Sequence, residues 1–110
     1  MKLPNSERAY VPKQKLTEYL LSETHAVGKF KARFFRKLGF GEANAHLLQK
    51  EIINIARSQE IKESIPSNYG TKYIVDGDIK TTIGESVKIR TVWIIEKDQT
   101  QPNFITAYPV

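Results

Sequence analysis

The chain has 110 residues, 40% of them hydrophobic and 26% charged, a size and composition that suit one soluble domain over residues 1–110 with one modest core. The absence of cysteine excludes a disulfide framework, a thiolate nucleophile and Cys-ligated zinc or iron–sulfur centres. The net charge of +5 is wholly amino-terminal, with eleven bases against six acids in residues 1–60 and six of each in 61–110, an imbalance that suits a polyanion.

Residues 1–9 read as an extended arm. Val11-Pro12 then opens a first helix, because proline's fixed φ is already helical and its missing N–H is needed by no partner in a first turn. Leu16, Tyr19 and Leu20 stand at i, i+3 and i+4 as one apolar stripe, and the polar run SETH from Ser22 ends it. A connecting loop closes at Gly28. The second helix runs from Lys29 to Leu38 and stops at Gly39, a residue suited to the left-handed C′ position. Gly41 opens the next turn. From about Glu42 to Ser58, Ala45, Leu48, Ile52, Ile55 and Ala56 repeat at helical spacing and define a third, longer helix. This first part, residues 1–60, is mainly helical and basic.

Beyond it, over residues 61–110, the period falls to two. Lys72–Asp76, Val87–Glu96 and Asn103–Tyr108 read as strands, with a short edge strand near Ile61–Ile65. Turn signals separate them: Pro66-Ser67-Asn68-Tyr69-Gly70, Asp76-Gly77-Asp78, Ile83-Gly84-Glu85, and Lys97-Asp98 through Gln101-Pro102. The expected class is α+β, with two to three amino-terminal helices on one face of a carboxy-terminal antiparallel sheet of three to four strands. No run approaches the roughly 18 apolar residues of a membrane span, and the opening MKLPNSERAY lacks the apolar stretch of a signal peptide. A soluble, cytoplasmic protein with no membrane partner is expected.

Several residues break their pattern. Lys29, Lys31, Arg33, Arg36 and Lys37 form an acid-free positive block on the second helix. On a helical wheel Phe30, Phe34, Phe35 and Leu38 mark the buried arc, and Lys31 falls inside it. An ammonium there must snorkel or meet an anionic partner. Lys29, Arg33, Arg36 and Lys37 project oppositely as a surface patch able to bind RNA phosphates. His25 stands in the polar loop, where function often resides, whereas His46 reads as an ordinary surface position on the third helix. In the last strand Phe104, Thr106 and Tyr108 alternate onto one face. In the strand before it the Trp93 set is the natural core face, which leaves Arg90 outside with its guanidinium free to meet phosphate bidentately.

The runs LPNSERAYVPKQKLTEYLL, THAVGKFKARFFRKLGF, YGTKYIVDGDIKTTIGESVKIRTVW and FITAYP resemble a small bacterial domain family of unknown function, over nearly the whole chain. The histidine-loop-lysine element, followed by helices and by an antiparallel sheet closing on Thr-x-Tyr, is similar to the barnase–EndoU–colicin–RelE class of ribonucleases, which are frequently toxins. That resemblance implies metal-independent, cofactor-free RNA cleavage: a base takes the 2′-hydroxyl proton, the oxygen attacks phosphorus, and an acid protonates the leaving 5′-oxygen. It further implies His25 as general acid or base, Lys31 and Arg90 as stabilisers of charge on the phosphorane, and Thr106 and Tyr108 as groups that position phosphate or donate a proton. Those nucleases often present a second catalytic histidine or glutamate; here Glu96 and His46 are poor substitutes, and Tyr108 or a positioned lysine is the alternative second partner.

Metal catalysis is disfavoured by the lack of HExxH or a clustered Asp/Glu/His set. The implied partners are an RNA substrate and an acidic antitoxin or immunity protein. The competing expectation is a non-catalytic module whose basic second helix binds nucleic acid or an acidic protein.

Overall fold

A computed structural model describes residues 1–26 and 29–110, so the closing role expected of Gly28 lies outside the described residues. Its architecture is α+β, with the helices preceding a four-stranded antiparallel sheet in the order β1-β2-β3-β4. The strands are β1 (Glu63–Ser67), β2 (Gly70–Lys80), β3 (Ser86–Glu96) and β4 (Asn103–Pro109). Each pairs with its sequence neighbour, the simplest outcome for short connections.

The third helix, α3 (Ala45–Ser58), buries the stripe expected of it, Ala45, Leu48, Ile52, Ile55 and Ala56. These residues meet Val75 and Ile79 of β2 and Ile89 and Trp93 of β3 in one continuous apolar cluster. The second helix, α2 (Lys29–Lys37), ends as its glycine predicts: Gly39 has φ 95°, and the Phe40 N–H reaches back 3.2 Å to the Phe35 carbonyl. Asn44 pins the following turn by accepting from Gly41 N–H at 2.7 Å and donating to the Gly39 carbonyl at 3.0 Å.

The first helix departs from expectation. Only Lys13–Lys15 (α1) is α-helical; Leu16–Leu20 continues as a wide π turn in which the Leu21 N–H reaches the Leu16 carbonyl at 2.7 Å. This winding buries Leu16, Leu20 and Leu21 completely and leaves Tyr19 half-buried on the flank nearest β4. Nor is the leading segment simply an extended arm. Lys2 bridges to Glu60, a 3₁₀ turn spans Ser6–Arg8, and Leu3 and Ala9 are buried.

Three further expectations are corrected. Pro66 and Ser67 lie in β1, so the first turn is shorter than its composition suggests. Asp76-Gly77-Asp78 is not a turn but the middle of β2, where Gly77 faces α3. A Cβ at Gly77 would stand 2.9 Å from Cγ1 and 3.1 Å from Cγ2 of buried Ile55, so the glycine marks the close approach of helix to sheet. Finally, the pairing of β3 with β4 shifts register between Val92 and Trp93: Trp93 opposes Phe104, but Val92 opposes Thr106. The extra residue, Ile105, turns Phe104 onto the core face with Ala107, away from Thr106 and Tyr108.

Gly77→Ala should therefore destabilise the fold by about 1–3 kcal/mol through overpacking against Ile55. Urea denaturation monitored by Trp93 fluorescence measures it, and the double change Gly77→Ala/Ile55→Val should recover part of the loss.

Candidate functional site

Because α2 lies beside edge strand β4, a long side chain from its first turn can reach the strand's outward groups. Lys31 does so. Its Nζ donates a 2.8 Å hydrogen bond to the Tyr19 hydroxyl, which in turn lies 3.0 Å from Thr106 Oγ1. The ammonium stands 5.3 Å from the Tyr19 ring centroid and 5.9 Å from that of Tyr108. Among the described residues no carboxylate forms an ion pair with it. The His25 ring meets Tyr19 edge-on, with centroids 5.0 Å apart. Both rings line an open cleft of about 480 Å³ with Pro12, Gln14, Lys15 and Glu18.

Strand register supplies the other end of the cluster. Arg90 of β3 lies opposite Tyr108 of β4 and opposite Asp76 of β2, so all three share the outer face of the sheet. His25, Lys31 and Thr106 thus each meet Tyr19, Tyr108 lies near the Lys31 ammonium, and Arg90 adjoins Tyr108. Arg90 is on the face expected, but its guanidinium is not free: Nε and Nη2 donate to the two Asp76 carboxylate oxygens at 2.8 and 2.9 Å. The pair arises because the central glycine segment is strand rather than turn, which brings Asp76 into register with Arg90.

The electrostatics follow from these contacts. Burial raises the Tyr19 pKa, but hydrogen bonds from Lys31 and Thr106 and the charges of Lys31 and Lys15 outweigh it, leaving the phenol below the usual tyrosine range. Hydrogen bonding from Arg90 holds the Asp76 carboxyl below its ordinary value against the opposing effect of burial, and Asp76 raises that of Arg90.

The α2 surface also differs from the helical wheel. Its buried arc is Ala32, Phe35 and Leu38, with Phe34 half-buried, whereas Phe30 is 66% exposed. Phe30 sits at the helix start, with Lys29 Nζ 5.3 Å and Arg33 Cζ 5.5 Å from its ring centroid. Arg36 leaves the expected patch. It donates twice to the Leu21 carbonyl, at 2.9 and 2.6 Å, and pairs with Glu23 at 3.0 Å and with Glu42, so it fastens the π turn to α2. Lys29, Arg33 and Lys37 remain exposed, and His46 is exposed on α3 as expected.

Sequence reasoning missed Tyr19 and Asp76. Tyr19 fitted an apolar stripe and was absorbed as core; its one signal was a hydroxyl on that stripe. Asp76 was hidden by the turn-like Asp-Gly-Asp. Among the described residues no three His, Asp or Glu side chains gather as a metal-ligand set, and no helix is long and apolar enough to cross a membrane.

The α+β fold is shared with a protein of known structure. The chain belongs to the family described as Domain of unknown function (DUF6883), whose model matches residues 2–110. Among solved structures it is similar to a chain of a contact-dependent growth inhibition toxin–immunity protein complex from Klebsiella pneumoniae 342, with TM-score 0.74 and 20% identity over 94% of this chain and 95% of that one. No curated protein matches the sequence.

Because the folded-state pKa of Asp76 is depressed, its pairing with Arg90 stabilises the fold above the unfolded carboxylate pKa of about 4 and loses that contribution as pH falls through the folded value. Asp76→Asn should cost about 1–2 kcal/mol at pH 7. Thermal melts at pH 7 and pH 3 should show the gap between wild type and variant narrowing at the lower pH; a gap that widens would refute the pairing.

Proposed function

We propose that this protein is a metal-independent endoribonuclease of toxin type, similar to the barnase–EndoU–colicin–RelE class. The observation that carries the reading is the Lys31 ammonium, held 2.8 Å from a tyrosine hydroxyl near Thr106 and Tyr108 with no carboxylate paired to it among the described residues. A half-buried cation in an aromatic setting is stabilised by an anion, and a phosphodiester supplies one.

In this reading RNA lies across the β4 edge. His25 serves as general acid or base, Lys31 stabilises charge developing on the phosphorane, and Thr106 and Tyr108 position the phosphate or donate a proton. Arg90 stands beside Tyr108 with its Nε–Nη2 edge held and its charge matched by Asp76, so it is not free to clamp a phosphate bidentately. Lys29, Arg33 and Lys37 bind flanking phosphates; Arg36 does not, being committed to Leu21, Glu23 and Glu42. The likeness to a chain of a toxin–immunity complex supports a toxin-like role, and the basic amino-terminal half suits the member of such a pair directed at nucleic acid. A neutralising acidic immunity protein or antitoxin is the corresponding partner.

The exposed Phe30 between Lys29 and Arg33 favours a second reading, a non-catalytic module that stacks a base and holds phosphates on α2. One assay separates the two. Total RNA incubated with the protein and a chelator should yield fragments ending in 2′,3′-cyclic phosphate. His25→Ala and Lys31→Ala should each slow cleavage by about 100-fold or more and relieve growth inhibition in a bacterial host. Intact RNA with retarded mobility, lost on Phe30→Ala, supports the binding module and rejects the nuclease.

A further inference from the structure

Proton transfer in two-step RNA cleavage needs two groups, and His25 fills one role. We infer that Tyr19 is the other: the general acid whose phenolic proton goes to the departing 5′-oxygen. The inference rests on the ribonuclease reading and adds a catalytic residue to it.

An acid is effective when the conjugate base it leaves behind is stabilised where it stands. Tyr19 meets that requirement from two sides. Lys31 Nζ already donates to the phenol oxygen at 2.8 Å, and the Thr106 hydroxyl at 3.0 Å can turn its proton toward the same oxygen once Tyr19 has lost its own. The hydroxyl bond between Tyr19 and Thr106 suits both states, since either oxygen can be the donor. A lowered phenol pKa is the expected companion of this geometry. Tyr19 also shares its open cleft with His25, whose ring packs edge-on against it, so acid and base face one bound linkage. The π turn serves the same end, since it buries Leu16, Leu20 and Leu21 while leaving the tyrosine at the cleft.

The step balances as follows. The His25 imidazole accepts the 2′-hydroxyl proton as the 2′-oxygen forms its bond to phosphorus. The bond from phosphorus to the 5′-oxygen breaks, and that oxygen takes the Tyr19 proton. The products are a 2′,3′-cyclic phosphate and a 5′-hydroxyl, with Tyr19 left as phenolate beside Lys31 and His25 as imidazolium. Exchange with water restores both.

The test uses the full chain and the RNA that it cleaves, in two forms: the natural strand, and one with sulfur replacing the bridging 5′-oxygen at the mapped scissile position. A thiolate leaves without protonation, so Tyr19→Phe should slow the natural strand by about 100-fold or more and the sulfur strand by less than about threefold. The fall in rate at high pH, which reports loss of the acid's proton, should disappear in Tyr19→Phe. Thr106→Val retains the phenol but removes one stabiliser, and should move that fall to higher pH; this variant decides the matter if Tyr19→Phe proves unfolded by circular dichroism. Equal slowing of both strands, or an unmoved pH limb in Thr106→Val, overturns the assignment of Tyr19 while leaving the nuclease reading intact. A wild-type chain that leaves every RNA whole overturns both.

Discussion

The arrangement at the β4 edge depends on where one ammonium is held. Lys31 leaves bulk water on the side of α2 that faces the strand, and removing an ammonium from water is costly unless something replaces its hydration. The replacement is a phenol oxygen and two aromatic faces. A carboxylate would neutralise the charge and close the site. A neutral oxygen satisfies the donor yet leaves the field intact, so the position keeps its attraction for an anion. The contrast with Arg90 and Arg36 is instructive, since each of those cations is matched by acids within the chain. Among the described residues those two are the side-chain cations held in ion pairs, whereas Lys31 is half-buried with a phenol oxygen as its partner.

Two irregularities of the backbone create the setting. In an unbroken β4, alternation would force Phe104 to share a face with Thr106 and Tyr108, and either the core would lose an aromatic or the hydroxyls would be buried. The shift between Val92 and Trp93 resolves the conflict: Phe104 packs edge-on against Trp93 with centroids 5.5 Å apart, and the two hydroxyl residues stay outside. The π turn at Leu16–Leu20 does the equivalent for the helical layer, placing three leucines inward and the tyrosine toward the strand. Arg36 then locks that turn to α2 through the Leu21 carbonyl, which holds Tyr19 and Lys31 in register.

What the sequence made legible follows from the same physics. The stripe of α3, the stop at Gly39, the α+β class and the choice of the Trp93 face as core all rest on periodicity and on the backbone demands of single residues, and these are local signals. The exposure of Phe30 is not legible in a helical wheel, which treats every turn as equally covered. Gly77 was misread because its local chemistry is that of a turn, while its reason for being glycine is Ile55, distant in sequence. Tyr19 was invisible for a related reason: its hydrogen-bond partners lie 12 and 87 residues away. Propensity records none of that.

Such long-range pairings explain why the charged residues of the sheet do not act as their composition suggests. Asp76, Arg90 and Tyr108 form one row across three strands, and the carboxylate at one end fixes the guanidinium in the middle. A guanidinium fixed in this way loses the freedom to clamp a phosphate bidentately, and the carboxylate offsets its charge toward any other anion. Lys31 Nζ stands 5.9 Å from the Tyr108 ring centroid, so a cation matched by a carboxylate and a cation without an ion pair adjoin the same tyrosine. Of the two, Lys31 keeps the field that an approaching anion would feel, an asymmetry that a uniformly basic surface does not provide.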